Sequence, residues 1–320
     1  MFPNLTVYAR RALVWFAVGL MSLFIGLVVV HWTSPTAGWL PIAGFLGTLV
    51  GILCFYFACG FAITNTALGV FRDGENTYSL SRLQMAGWTW LILSALIAIA
   101  VSRLWHPATG GAGGLNIYIP SNLFIVMGIS FFTGADAPSL LSLKTSTPAT
   151  PGQVQTARTR MSETDVVANG QVIVRDLSQA PHWGDIVEGD DVATKGTVDI
   201  SKVQQLLITA LLMGVYFAML WDLFESSDSN GLLWAMSPSL AKSLVNQNSL
   251  LCGYQNVQDA LAGKCGIGWT AMPDFPAALV TLLAVSHGGY LAYKAVPRTA
   301  ADNSGSTAAR PAAGAATPVG

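Results

Sequence analysis

Two stretches decide how this chain reads: SLSRLQMAGWTWL, Ser79–Leu91, and ISKVQQLLITALL, Ile200–Leu212. Placing Ser81 on Ser201 brings Arg82 onto Lys202, Gln84 onto Gln204, Thr89 onto Thr209 and Leu91 onto Leu211. In both, a short polar phrase opens a long apolar run. The runs say where the protein sits, and the shared phrase says how it is built.

The 320 residues are 52% hydrophobic and 10% charged, with a mean hydropathy of +0.51. A soluble domain carries about 25% charged residues, so this composition belongs to a membrane. A helix needs about 20 apolar residues to cross the hydrocarbon core. Six stretches qualify: 12–32, 38–62, 85–104, 120–138, 203–223 and 276–295. The expected fold is an all-α polytopic membrane protein with six transmembrane helices. The first stretch follows Arg10 and Arg11. It is too long for the apolar part of a cleaved signal and no A-x-A site follows, so it reads as a retained anchor.

Basic residues orient the spans. With the N-terminus in the cytoplasm, thirteen of the 16 Lys and Arg residues fall inside, leaving Arg103, Lys242 and Lys264 outside. Both termini are then cytoplasmic. Trp32, Trp39, Trp105, Trp221 and Trp269 gather near the outer interface, where indole rings favour the headgroup layer. A net charge of −1 gives no reason to expect a nucleic-acid partner.

The likeness extends to the returning helices. IPSNLFIVMGIS from Ile119 and FPAALVTLLAVS from Phe275 place Pro120 on Pro276, Leu123 on Leu279 and Ser130 on Ser286. The unit is a helical hairpin repeated in tandem, with both copies entering from one side, a parallel repeat. The chain divides into an N-terminal hairpin (1–70), the first repeat (71–142), a cytoplasmic linker and insert (143–200), the second repeat (201–298) and a tail (299–320) read as disordered. The second repeat carries an extracytoplasmic loop, 224–274, with a short helix in SPSLAKSLVNQ.

Ser81 with Gln84, and Ser201 with Gln204, have the spacing of a capping box, which would satisfy amides at the start of each span. Proline suits the first turn of each return helix. In the insert, Thr145–Thr159 reads as linker, and Asn169-Gly170 between β-rich runs signals a hairpin. Asp185, Glu188, Asp190 and Asp191 read as a solvated acidic loop, since the EF-hand pattern is missing. Cys54 and Cys59 read as packing residues. Cys252 and Cys265 can close a disulfide in the outer loop if the compartment is oxidising.

Thr89, Ser130, Thr209, Ser286 and His287 fall at mid-membrane depth. Two readings stay open. They line a water-filled path with a proton-sensitive imidazole, or they bond across helices and to nearby carbonyls. There is no P-loop, and His31, His106, His182 and His287 lack metal-ligand spacing, so no metal or cofactor is expected.

Gly128-Ile129-Ser130 with His287 on the last helix resembles a rhomboid intramembrane protease, which implies a Ser–His dyad. The chain departs from that family, whose helix-two His and Asn have no counterpart in 38–62, and Gly288-Gly289 follow the histidine directly. Residues 78–298 also resemble a group of uncharacterised bacterial inner-membrane proteins. Those share the Ser-x-x-Gln leading helix, a stretch like His182-Trp183-Gly184-Asp185, and a closing AVSHGGYLAYKAVP. That resemblance implies an architecture and no activity. The expected function is a non-enzymatic membrane scaffold presenting 161–200 and 224–274 to protein partners. The alternative is an oligomeric channel or facilitator.

Overall fold

In the computed structural model the chain is mostly helical, with one two-stranded antiparallel sheet. The structure describes residues 5–33, 39–104, 117, 119–146, 148–161, 166–176, 179–225 and 272–295. The helices are α1 (Leu5–Thr33), α2 (Trp39–Thr64), α3 (Leu80–Leu104), α4 (Ser121–Thr145), α5 (Pro151–Met161), α6 (Ile200–Glu225) and α7 (Ala277–Ala295). The strands are β1 (Val166–Asn169) and β2 (Val172–Arg175). The disulfide expected between Cys252 and Cys265, the short outer-loop helix and the tail lie outside the described residues.

Among the described residues, four of the six expected spans are long and apolar enough to cross a membrane: Val7–Val30, Leu40–Thr64, Leu80–Val101 and Ile200–Glu225. In α4 an apolar stretch, Ser121–Gly134, lies within the longer helix. Leu13, Phe24, Ile63, Phe131, Leu207 and Val285 are exposed on the helix surfaces, as lipid-facing residues would be.

Helices α3, α4, α7 and α6 pack in a ring, each against the next, and α2 lies against α3 and α6. Trp88, Leu91, Ile99, Leu123, Leu212, Tyr216, Phe275 and Leu283 fill the ring. Phe45 of α2 stacks on Phe224 with centroids 4.5 Å apart. Side chains also tie α2 to α3: Trp90 Nε1 donates to the Leu49 carbonyl at 2.7 Å and Tyr56 OH to that of Ala86 at 3.1 Å. These bonds set α2 antiparallel to α3. Trp32, Trp39 and Trp221 therefore stand at one end of the molecule, the end opposite the insert.

Helix α1 leans on α2 through glycine. A Cβ on Gly26 would come within 2.8 Å of the Gly47 carbonyl carbon, and one on Gly47 within 2.7 Å of the Gly26 Cα. Ser22 Oγ donates to the Gly47 carbonyl at 3.0 Å. Lipid tails are as apolar as leucine, so close backbone packing is what holds such a pair together.

The capping boxes do not form as spaced. Helix α3 starts at Leu80, two residues earlier than a Ser81 cap requires, so Ser81 sits in the first turn with its hydroxyl 3.0 Å from Ser79 Oγ. Gln84 turns away to α6. At α6 the cap is Asp199, which accepts from the Ser201 amide at 2.9 Å and its hydroxyl at 2.6 Å, and Gln204 is exposed. A carboxylate outcompetes a serine for amides at the positive end of a helix.

Burial also displaces the pairing by one residue. One buried stripe of α3 runs through Ser81, Gln84, Trp88, Leu91, Ala95 and Ile99, with Leu80, Ala86, Ile92, Ser94 and Ala98 buried beside it, while that of α6 runs through Lys202, Gln205, Thr209, Leu212, Tyr216 and Leu220. On α4 it is Leu123, Val126, Ser130 and Thr133, and on α7 it includes Val280, Leu283, His287 and Tyr290. One residue is about 100° of helix rotation, enough to exchange a lipid-facing position for a core position.

Two readings of the insert change. Residues expected as linker contain α5, and α4 runs to Thr145. Arg160 at the end of α5 donates to the Ala193 carbonyl at 2.9 Å, and Ala157 packs with Ile173 and Val192. The hairpin stands where expected, with Asn169 paired to Val172 and Gly170 at φ +61°. Glycine is needed there twice over, since a Cβ would also strike the Thr145 carbonyl oxygen at 2.3 Å.

Candidate functional site

The acidic stretch is not a solvated loop. It is gripped by cations from the helix ends. Asp190 receives Lys202 Nζ of α6 on Oδ1 at 2.6 Å and Lys294 Nζ of α7 on Oδ2 at 2.9 Å. Lys144, at the end of α4, donates to both oxygens of Asp191 at 2.8 Å. Arg175 of β2 pairs with Asp185, and Lys195 with Glu188 at 2.9 Å. Asp185 and Asp191 are buried, as are all four lysines and Arg175. Spread over α4, β2, the rest of the insert, α6 and α7, these residues look like ordinary surface charge in the sequence. The fold collects them because α4 ends, and α6 begins, against the insert.

Burial disfavours a charged Asp190, yet the two lysines hold its carboxyl well below the usual carboxylate range. The clamp is closed by backbone as well. The Gln171 amide donates to the Lys144 carbonyl at 3.1 Å, and the Arg175 amide to that of Glu75 at 3.1 Å. The loop before α3 completes the junction. Asp73 accepts from the amides of Glu75 and Thr77 and from the Thr77 hydroxyl, at 3.1, 2.9 and 2.9 Å. Asn76, at φ +61°, donates to the carbonyls of Asp176 and Gln179.

A cavity of about 130 Å³ remains where loop, insert, α3, α6 and α7 meet. Asp73, Glu75, Asp190, Arg82, Lys202, Lys294 and Tyr290 line it. Lys294 also donates to Tyr290 OH at 3.1 Å. Burial, then the negative charges of Asp73 and Asp190, push the Glu75 carboxyl up to about 7.

Deeper in the bundle, Ser130, Thr209, Ser286 and His287 are buried, but Thr89 is half-exposed, its place on the core face taken by Trp88. Because Lys202 and Lys294 share Asp190, they lie at one height. Thr209 and His287 each lie two turns, about 10 Å, further in. Thr209 Oγ1 accepts from Gln84 Nε2 at 2.9 Å, and Gln205 Nε2 donates to Gln84 Oε1 at 2.9 Å. His287 Nδ1 meets the Leu283 carbonyl at 3.0 Å. Among the described residues, Ser130 Oγ, Ser286 Oγ, His287 Nε2, Trp88 Nε1 and Tyr216 OH are buried without a hydrogen-bond partner. Ser130 and His287 thus make no dyad, and among the described residues no group of three or more metal-ligating side chains could hold an ion.

Gln205 and the lysine–aspartate junction were missed in the sequence. The available signal was the pairing of basic residues at helix ends with four acids in one insert. No family model, curated protein or solved structure matches this chain.

Proposed function

We propose that this is a six-span protein of the bacterial inner membrane, with both termini cytoplasmic and a duplicated helical hairpin, that presents its insert in one fixed orientation to a protein partner. The observation that carries this reading is the grip of Lys202 and Lys294 on Asp190. An insert held by backbone bonds alone could swing on its linkers, whereas buried ion pairs are directional and costly to break singly. The charge bias of the ends supports the orientation, and the matching hairpins support the duplication. The test is deletion of 161–200 in the full-length membrane protein. Insertion should persist while co-purification of a partner is lost, and a partner retained after the deletion would refute the reading.

The unpartnered polar atoms at Ser130, Ser286 and His287 favour a second reading, a hydrated path through the α3–α4–α6–α7 ring. Buried hydroxyls and ring nitrogens without partners are expensive in a bilayer unless water reaches them. His287→Ala in proteoliposomes should then change ion or solute flux between about pH 5 and pH 7, and unchanged flux would count against a path.

A further inference from the structure

Glu75 lines the cavity at the junction between insert and bundle, and every cation around it is already engaged. Lys202 Nζ gives hydrogen bonds to Asp190 and to the Glu188 carbonyl. Lys294 is held by Asp190 and Tyr290, and Lys195 by Glu188. Arg82 of α3 donates to the Arg72 carbonyl at 2.8 Å. The Asp73 carboxylate is filled by its own loop. Among the described residues the Glu75 carboxyl has no ion pair within 4.0 Å.

We propose that Glu75 is a proton-binding site that controls how tightly the insert is seated on the helix ends. When ionised, it adds a third negative charge beside Asp73 and Asp190 and competes with Asp190 for Lys294. When protonated, it leaves the Lys202–Asp190–Lys294 clamp undisturbed. The groups that face it are Asp73 and Tyr78 from its own loop, Asp190 and Lys195 from the insert, Arg82 from α3, Lys202 from α6, and Tyr290 and Lys294 from α7. The direction follows from the cavity. The seated form holds the Glu75 proton up to about pH 7, whereas a solvated glutamate releases it near 4.3. The seated state therefore binds more protons through this window. Seating is strongest below about pH 4.3, weakens as pH rises from there through about 7, and levels off above it. This inference does not depend on a protein partner.

The experiment is hydrogen exchange, read by mass spectrometry, on the full chain in nanodiscs at about pH 6 and pH 8, corrected for intrinsic rates. Opening of peptides within 166–199 should rise about tenfold from the lower to the higher pH, as one pKa unit of linkage predicts. Glu75→Gln should be protected equally at both. His182→Gln should keep the rise. A flat wild type, a rise that survives in Glu75→Gln, or one that vanishes in His182→Gln would each overturn the proposal. Should Glu75→Gln fail to insert, the infrared carboxylate band of glutamate-labelled wild type decides: a glutamate band titrating near pH 7 supports it, and all glutamates titrating near pH 4 to 5 refutes it.

Discussion

Gln84 and Gln205 meet amide to amide across the seam between α3 and α6, with Gln205 Nε2 donating to Gln84 Oε1 at 2.9 Å. Gln84 passes the bond on to Thr209 at 2.9 Å. Both glutamines are buried, so each needs the other. We expect Gln84→Leu and Gln205→Leu each to destabilise the helical ring by about 1–3 kcal/mol, because each strands a buried amide. The double variant should lose less than the sum, with a coupling of about 0.6–1.7 kcal/mol. Unfolding of the four variants in bicelles measures it, and strict additivity would show that the bond carries no energy.

The clamp predicts a sharper effect. Asp190→Asn leaves Lys202 and Lys294 buried with no anion between them, and should cost about 3–5 kcal/mol. Replacing all three with apolar residues of similar volume should recover most of that loss. Because the lysines hold the Asp190 carboxyl low, its contribution is present above the usual aspartate range and is lost only as pH falls through its depressed value. Protease resistance of the insert in wild type should therefore persist down to about pH 4, and early loss would contradict the clamp.

The glycine seam can be read covalently. A Cβ at Gly19 would sit 3.0 Å from the Cβ of Cys54, so a small outward shift of α1 brings the pair to the roughly 3.5–4.5 Å that a disulfide spans. Gly19→Cys should cross-link to Cys54 on mild oxidation. Adding Gly47→Leu should abolish the cross-link, since its side chain would occupy the space of the Gly26 backbone. Peptide mass mapping distinguishes the outcomes, and a cross-link that persists would mean that α1 is held by something other than close approach.

The mid-bundle hydroxyls should divide by partner. Thr209→Ala removes the acceptor for Gln84 and should cost about 1 kcal/mol. Ser130→Ala removes a hydroxyl with no partner and should leave stability unchanged or raise it by up to about 1 kcal/mol. Thermal unfolding of both variants compares them. A clear loss in Ser130→Ala would mean that water occupies the layer.

Several features were legible early because they depend on local chemistry. Gly170 had to be where it is, since Asn-Gly encodes a tight turn whatever surrounds it. The apolar runs of α1, α2, α3 and α6 declared themselves by length. Pro120 and Pro276 marked where α4 and α7 begin, each carbonyl accepting a bond three residues on, at 3.1 and 2.9 Å. The Ser81 and Ser201 match misled on two counts. Shared letters locate a phrase, but Asp199 won the cap of α6, and core packing rotated the buried face by one residue. Thr89 was lost from the polar layer, and Gln205 and Trp88 were overlooked, for the same reason.

By itself the sequence determined that this chain belongs in lipid, because a run of apolar side chains must leave water wherever it is folded. It also determined that a hairpin interrupts the helices at Asn169. Only the tertiary structure decided what Asp190, Lys202 and Lys294 do, and that Glu75 shares their cavity. Charge far apart in sequence acquires meaning when folding brings it out of water and within reach of its opposite, and one residue of helical rotation is enough to change which groups arrive there.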